Sequence, residues 1–150
     1  MYSNVHATIG TAFVLGTYSI TKDEATTYIV GGLLGFLSHH YADKLGEAKY
    51  PNYKEMAIHE GIPLLLFLFI AFLSDLTGFY LLGMLSSNLM DLIDKKAGLS
   101  LINRNKYPFG SFFPCHRKKP LIDFDLKTTK ILSWSSVLLI LIFYVYELVK

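Results

Sequence analysis

Charge is scarce in this sequence. Asp, Glu, Lys and Arg make up 17% of its 150 residues, while 52% are apolar and the mean hydropathy is +0.38. Soluble domains carry about 25% charge, so an ordinary soluble domain is a poor fit. Cysteine is nearly absent: Cys115 stands by itself, which excludes a disulfide framework. Glycine numbers 11 and no heptad is sustained, which excludes collagen and coiled coil. A secretory leader is missing too. Met1-Tyr2-Ser3-Asn4 has no basic n-region and no small-residue cleavage site follows, so the first apolar segment is expected to stay in the mature protein.

What is present is aromatic and aliphatic bulk, with 11 Phe, 10 Tyr and long apolar runs, far more than a disordered chain tolerates. A helix needs about 20 mostly apolar residues, and at least ~17, to cross the hydrocarbon core of a bilayer. Five segments are candidates, the first slightly short: Val5 to Ile20, Ala25 to Tyr41, Ala57 to Leu73, Thr77 to Ile93, and Ile131 to Val149. The expected fold is therefore all-α, a single polytopic membrane domain with about five transmembrane helices. The first two segments are short, rich in Gly and Thr, and joined by the polar turn Thr21-Lys22-Asp23-Glu24, so they read as a closely packed αα-hairpin.

Basic residues set the orientation. With five spans, twelve of the fourteen Lys and Arg residues fall on the side that holds the N-terminus, the Asp43 to Met56 loop and the Lys95 to Lys130 segment. Only Lys22 and Lys150 lie opposite. By the positive-inside rule the N-terminus is cytoplasmic and the C-terminus outside. Such a face attracts membrane lipids with anionic head groups, or an anionic substrate. Nucleic acid is not an expected partner, because no recognition motif accompanies these lysines. Assembly into homo-oligomers stays open.

An internal repeat is visible. Leu33-Leu34-Gly35-Phe36-Leu37-Ser38-His39-His40-Tyr41-Ala42-Asp43 matches the stretch Leu81 to Asp91 at six of eleven positions, at an offset of 48. Each copy follows a span that opens with a histidine, His6 or His59. The repeat unit is a helical hairpin, over 5–43 and 57–94, related by an axis along the membrane normal. A basic loop over 95–130 and the last span over 131–149 complete the chain.

His6, His39, His40, Asp43, His59, Asp91, Asp94 and His116 all fall on the basic side. His39 and Asp43, at i and i+4, point at one centre, and His40 with Asp43 at i and i+3 nearly does. Pairing the hairpins would gather imidazoles and carboxylates from four helices at one end of a bundle, as bundles build divalent-metal sites. The expected metal ligands are His6, Asp43, His59 and Asp91, joined by His39 or His40. Zn, Mn or Fe suits this donor set. Asp94 and His116 are the candidate proton-transfer groups. The plainer readings are that Asp94 caps a solvated helix end, that His116 belongs to a lipid-facing basic loop, and that each histidine makes ordinary interfacial hydrogen bonds.

Other patterns carry less. Cys115 beside His116 lacks an orienting third group, and Gly31-Gly32-x2-Gly35 lies inside an apolar helix, where it cannot cradle phosphate. Asp75 reads as a turn residue with Ser74 and Thr77. The aromatic stretch Lys106 to Phe113 is expected in the interface or folded over the site.

His6-x3-Gly10, Ser38-His39-x3-Asp43, Asp91-Leu92-Ile93-Asp94 and Pro108-Phe109 together resemble the elements of a family of bacterial inner-membrane metal-dependent hydrolases. The chain departs from that pattern in having no Arg-Gly-x-Thr-His-Ser segment. Its acidic element also has an extra residue and follows the Ser-His-x3-Asp element. The resemblance implies metal binding and favours His39 over His40. A metal-bound water beside a basic loop makes hydrolysis of a phospholipid-like or other membrane-associated ester the expected reaction. The alternative is a non-catalytic small transporter or oligomeric channel-like effector that uses the same polar cluster as an ion path.

Overall fold

A computed structural model describes residues 3–46, 50–94 and 121–149. They form five helices: α1 (Ser3–Thr21), α2 (24–42), α3 (Tyr53–Leu73), α4 (Thr77–Asp94) and α5 (Leu126–Leu148). Two two-residue strands, β1 (Leu45–Gly46) and β2 (Ile122–Asp123), pair in parallel. The fold is all-α as expected. Two helices, α3 and α5, are long and apolar enough to cross a membrane.

Local chemistry sets the helix ends. α1 stops at Lys22, whose φ of 53° is left-handed and outside the helical well. Asp23 then starts α2 by accepting the Thr26 N–H at 2.6 Å. Asn52 caps α3 through the Glu55 N–H and Asp125 caps α5 through the Thr128 N–H, at 2.9 and 2.7 Å. These caps start α3 and α5 before the expected Ala57 and Ile131, so Lys54, Lys127 and Lys130 ride on helical first turns instead of in loops. Ser74, Asp75 and Thr77 do form the α3–α4 turn, with the Thr77 hydroxyl donating to the Ala71 carbonyl at 2.9 Å.

Two helices contain a π-helical turn, Thr27–Gly31 in α2 and Ala57–Gly61 in α3. The second ends two residues before Pro63. Proline has no N–H, so the His59 carbonyl four residues earlier loses its α-helical donor. The Ser133 hydroxyl of α5 donates to that carbonyl instead, and so clamps α3 to α5.

α1, α2 and α4 pack against one another, while α3 packs chiefly on α5, which also reaches α1. The apolar core is formed by Ala7, Phe67, Ile70, Ala71, Tyr80 and Ile140. Around it the interior is unusually polar, with Asn4, His6, Thr8, Thr11, Thr17, Ser38, His39, Ser87 and Ser133 all buried. The Asn4 amide donates to the Ser133 carbonyl and hydroxyl at 3.0 and 2.7 Å, tying α1 to α5. Large apolar side chains face outward, among them Leu33 and Leu37 on α2, Leu65, Phe69 and Phe72 on α3, and Leu138 and Ile142 on α5. Soluble domains hide such residues and expose polar ones.

Candidate metal centre

The first turn of α1 and the last turn of α2 meet at one end of the hairpin, which brings His6 against His39 and Asp43. Both imidazoles are fully buried, and the Asp43 side chain is 9% exposed. The rings stack with centroids 4.2 Å apart and planes 16° from parallel. Both helices also pack closely on α4, which needs small residues at the crossings. A Cβ built on Gly10, one turn after His6, would overlap the Gly83 carbonyl oxygen, and one on Gly35, one turn before His39, would overlap the Ser86 hydroxyl.

The carboxylate of Asp43 collects both imidazoles. Oδ1 lies 3.2 Å from His6 Nε2 and Oδ2 lies 2.9 Å from His39 Nε2. Among the described residues, His6, His39 and Asp43 are the group with metal-ligand spacing, their ligand atoms all within 4.8 Å of one another. On its other side, His39 Nδ1 lies 2.7 Å from the Ser87 carbonyl oxygen. A carbonyl only accepts, so Nδ1 carries the proton and Nε2 presents its lone pair to the carboxylate. Two electron pairs facing each other at 2.9 Å need a positive charge between them, either a proton or a metal ion.

His6 fits the same reading. Its Nε2 is within ion-pair distance of Asp43 but lacks hydrogen-bond geometry, and both ring nitrogens are buried with no hydrogen-bond partner. Orphaned buried nitrogens are rare in proteins and call for a ligand. Two imidazoles and a carboxylate suit Zn, Mn or Fe, and three protein ligands leave a coordination position open.

The remaining expected ligands lie elsewhere. His59 is not in this group. Its Nε2 lies 3.6 Å from Glu55 Oε2, its Nδ1 accepts the Trp134 indole N–H at 3.0 Å, and the Tyr50 ring is parallel to it at 6.1 Å. The physical reason is the Pro63 clamp: α3 is held on α5, so it does not repeat for α4 the role that α1 plays for α2. His40 is half-buried and packs edge-on against Tyr41. Asp91 is half-buried on α4 and outside the group. Asp94 ends α4 with its side chain outside the described residues, as is all of His116.

Two participants were missed from the sequence. The Ser87 carbonyl has no side-chain signature, although Ser87 is the residue aligned with His39 by the 48-residue offset. Glu55, one turn before His59, also bonds Lys130 and thereby joins the starts of α3 and α5. The His59-x3-Pro63 spacing was the available signal for that clamp. Comparison with protein-family models, curated proteins and solved structures finds no match.

Proposed function

We propose that this chain is a multi-pass membrane protein that binds a divalent metal at His6, His39 and Asp43 and hydrolyses a membrane-associated, phospholipid-like ester on the cytoplasmic side. The observation that carries the proposal is the convergence of two buried Nε2 atoms on the two oxygens of one carboxylate. Three protein ligands with an open position match catalytic sites better than four-ligand structural ones. The membrane setting is supported by the polar interior and apolar exterior, by the two helices of spanning length, and by the one-sided distribution of Lys and Arg.

A bound divalent cation supplies Lewis acidity, acidifying water and polarising an ester or phosphoryl oxygen. The chain does the rest. Ser87 holds His39 in the tautomer that leaves Nε2 available, and the stacked His6 ring fixes the second donor. Asp43 contributes the negative charge that selects a cation over a neutral ligand. The Lys and Arg residues over 95–130 would attract an anionic head group, and Asp94 or His116 would manage protons.

The test is metal analysis of detergent-purified protein, followed by a screen of ester and phosphoester substrates with and without added divalent ions. Near-stoichiometric Zn, Mn or Fe that disappears in Asp43→Ala and in the milder Asp43→Asn, together with metal-dependent hydrolysis, is the expected result. A metal-free protein that conducts ions in liposomes would replace this reading with a transporter or channel-like effector.

A further inference from the structure

The other half of α1 borders a half-open cavity of about 820 Å³, flanked by the α3–α4 turn and the end of α5. It exists because α1 presents Ala12, Gly16 and Ser19 where larger side chains would fill the space; a Cβ built on Gly16 meets nothing within 4 Å. The walls are apolar, formed by Leu15, Leu73, Leu76, Ile142 and Phe143. Protein interiors are close-packed, and a volume within the range of small-molecule sites is a binding space.

Its rim is charged and of mixed sign. Lys22 stands at the end of α1 with its ammonium 5.7 Å from the Tyr18 ring centroid, Asp75 lies exposed in the α3–α4 turn, and Glu147 sits in the last turn of α5. The Glu147 carboxylate is aimed by two hydroxyls, Ser74 on Oε2 and Tyr80 on Oε1 at 2.8 Å. One cation and two carboxylates around an apolar hole complement a zwitterion with a hydrocarbon tail. A purely anionic amphiphile would meet two like charges for one opposite one.

We propose that this cavity is a site for a zwitterionic, amine-bearing phospholipid: an acyl chain occupies the apolar volume, Lys22 takes the phosphate, and Asp75 and Glu147 take the ammonium. The proposal rests on the membrane setting argued above and is independent of the metal centre. Its test is native mass spectrometry of the full chain, delipidated in detergent and re-exposed to phosphatidylethanolamine or phosphatidylglycerol. The wild type is expected to retain one phosphatidylethanolamine at least tenfold more than phosphatidylglycerol. Gly16→Leu projects a side chain into the cavity and should lower that retention tenfold or more, without lowering stability in lipid-free detergent. Lys22→Asn, at a position where asparagine tolerates the left-handed backbone, should lose it with the cavity intact. Equal retention of both lipids, retention of neither, or undiminished retention in both variants overturns the site. Recovery of the protein from the soluble fraction without detergent overturns the membrane setting as well, so the two failures are distinguishable.

Discussion

His39 Nδ1 lies 2.7 Å from the backbone oxygen of Ser87, and these residues are 48 apart, the offset at which the sequence of α2 recurs in α4. The ends of the two similar helices therefore lie side by side, and the second helix orients a candidate ligand carried by the first. This differs from the symmetric four-helix site that the pattern suggests. One hairpin supplies the donors and α4 supplies the buttress.

That asymmetry predicts which substitutions release metal. His6→Ala, His39→Ala and Asp43→Ala each remove one of three ligands and should weaken binding by more than the ~10–100-fold that outer contacts are worth. His59→Ala and Asp91→Ala should leave metal content unchanged. Elemental analysis of the five purified variants checks this; metal loss in His59→Ala together with retention in His6→Ala would reverse the assignment.

The glycines at the crossing make a second prediction. A Cβ at Gly10 meets the Gly83 carbonyl, and one at Gly83 meets the Thr11 backbone. Backbone cannot swing aside as a side chain does, so Gly10→Ala and Gly83→Ala should each cost about 1–3 kcal/mol, the usual range for overpacking. Gly16→Ala meets open space and should be stabilising by about 0.4–1 kcal/mol, because alanine restricts the unfolded chain. Thermal unfolding in detergent separates these cases. Equal effects at Gly10 and Gly16 would mean that α1 does not cross α4 at this glycine.

Much of this was legible in sequence. Five apolar segments and the polar turn at Thr21 to Glu24 correspond to five helices and a capped hairpin, because apolar length and turn chemistry are local properties. The pair His39 and Asp43 was legible for the same reason, since i and i+4 share a helix face. Partner choice between helices was not. His6 and His59 have similar local contexts, and what separates them is Pro63, which frees a carbonyl for Ser133, a residue 74 positions from His59. Caps at Asn52 and Asp125 also shifted two helix starts, because a polar residue before an apolar run belongs equally well to a loop.

The same caps predict an acid dependence. Hydrogen bonds from Thr26 and Thr128 hold the carboxyls of Asp23 and Asp125 below their ordinary range. A depressed folded-state pKa contributes stability that is fully present above the unfolded value and is lost as pH falls through the folded one. The starts of α2 and α5 should therefore loosen below the ordinary carboxylate range and be indifferent to pH from neutral upward. Asp125→Asn keeps a good capping side chain without a titrating group. Its unfolding midpoint should stay near wild type at pH 7 and fall less than wild type on acidification. An identical acid response in both proteins would remove the cap from the explanation.

Finally, the distribution of Lys and Arg makes a topological prediction that the chain's single cysteine can report. Cys115 lies in the basic segment before Arg117-Lys118-Lys119, which the positive-inside rule assigns to the cytoplasm. A membrane-impermeant maleimide should leave Cys115 unlabelled in intact cells and label it in inverted membrane vesicles. In a Cys115→Ser background, a cysteine introduced by Val149→Cys after α5 should show the opposite pattern, because α5 is the span that separates the two positions. If both positions label from the same side, α5 does not cross the membrane although it has spanning length, and the five-span topology fails.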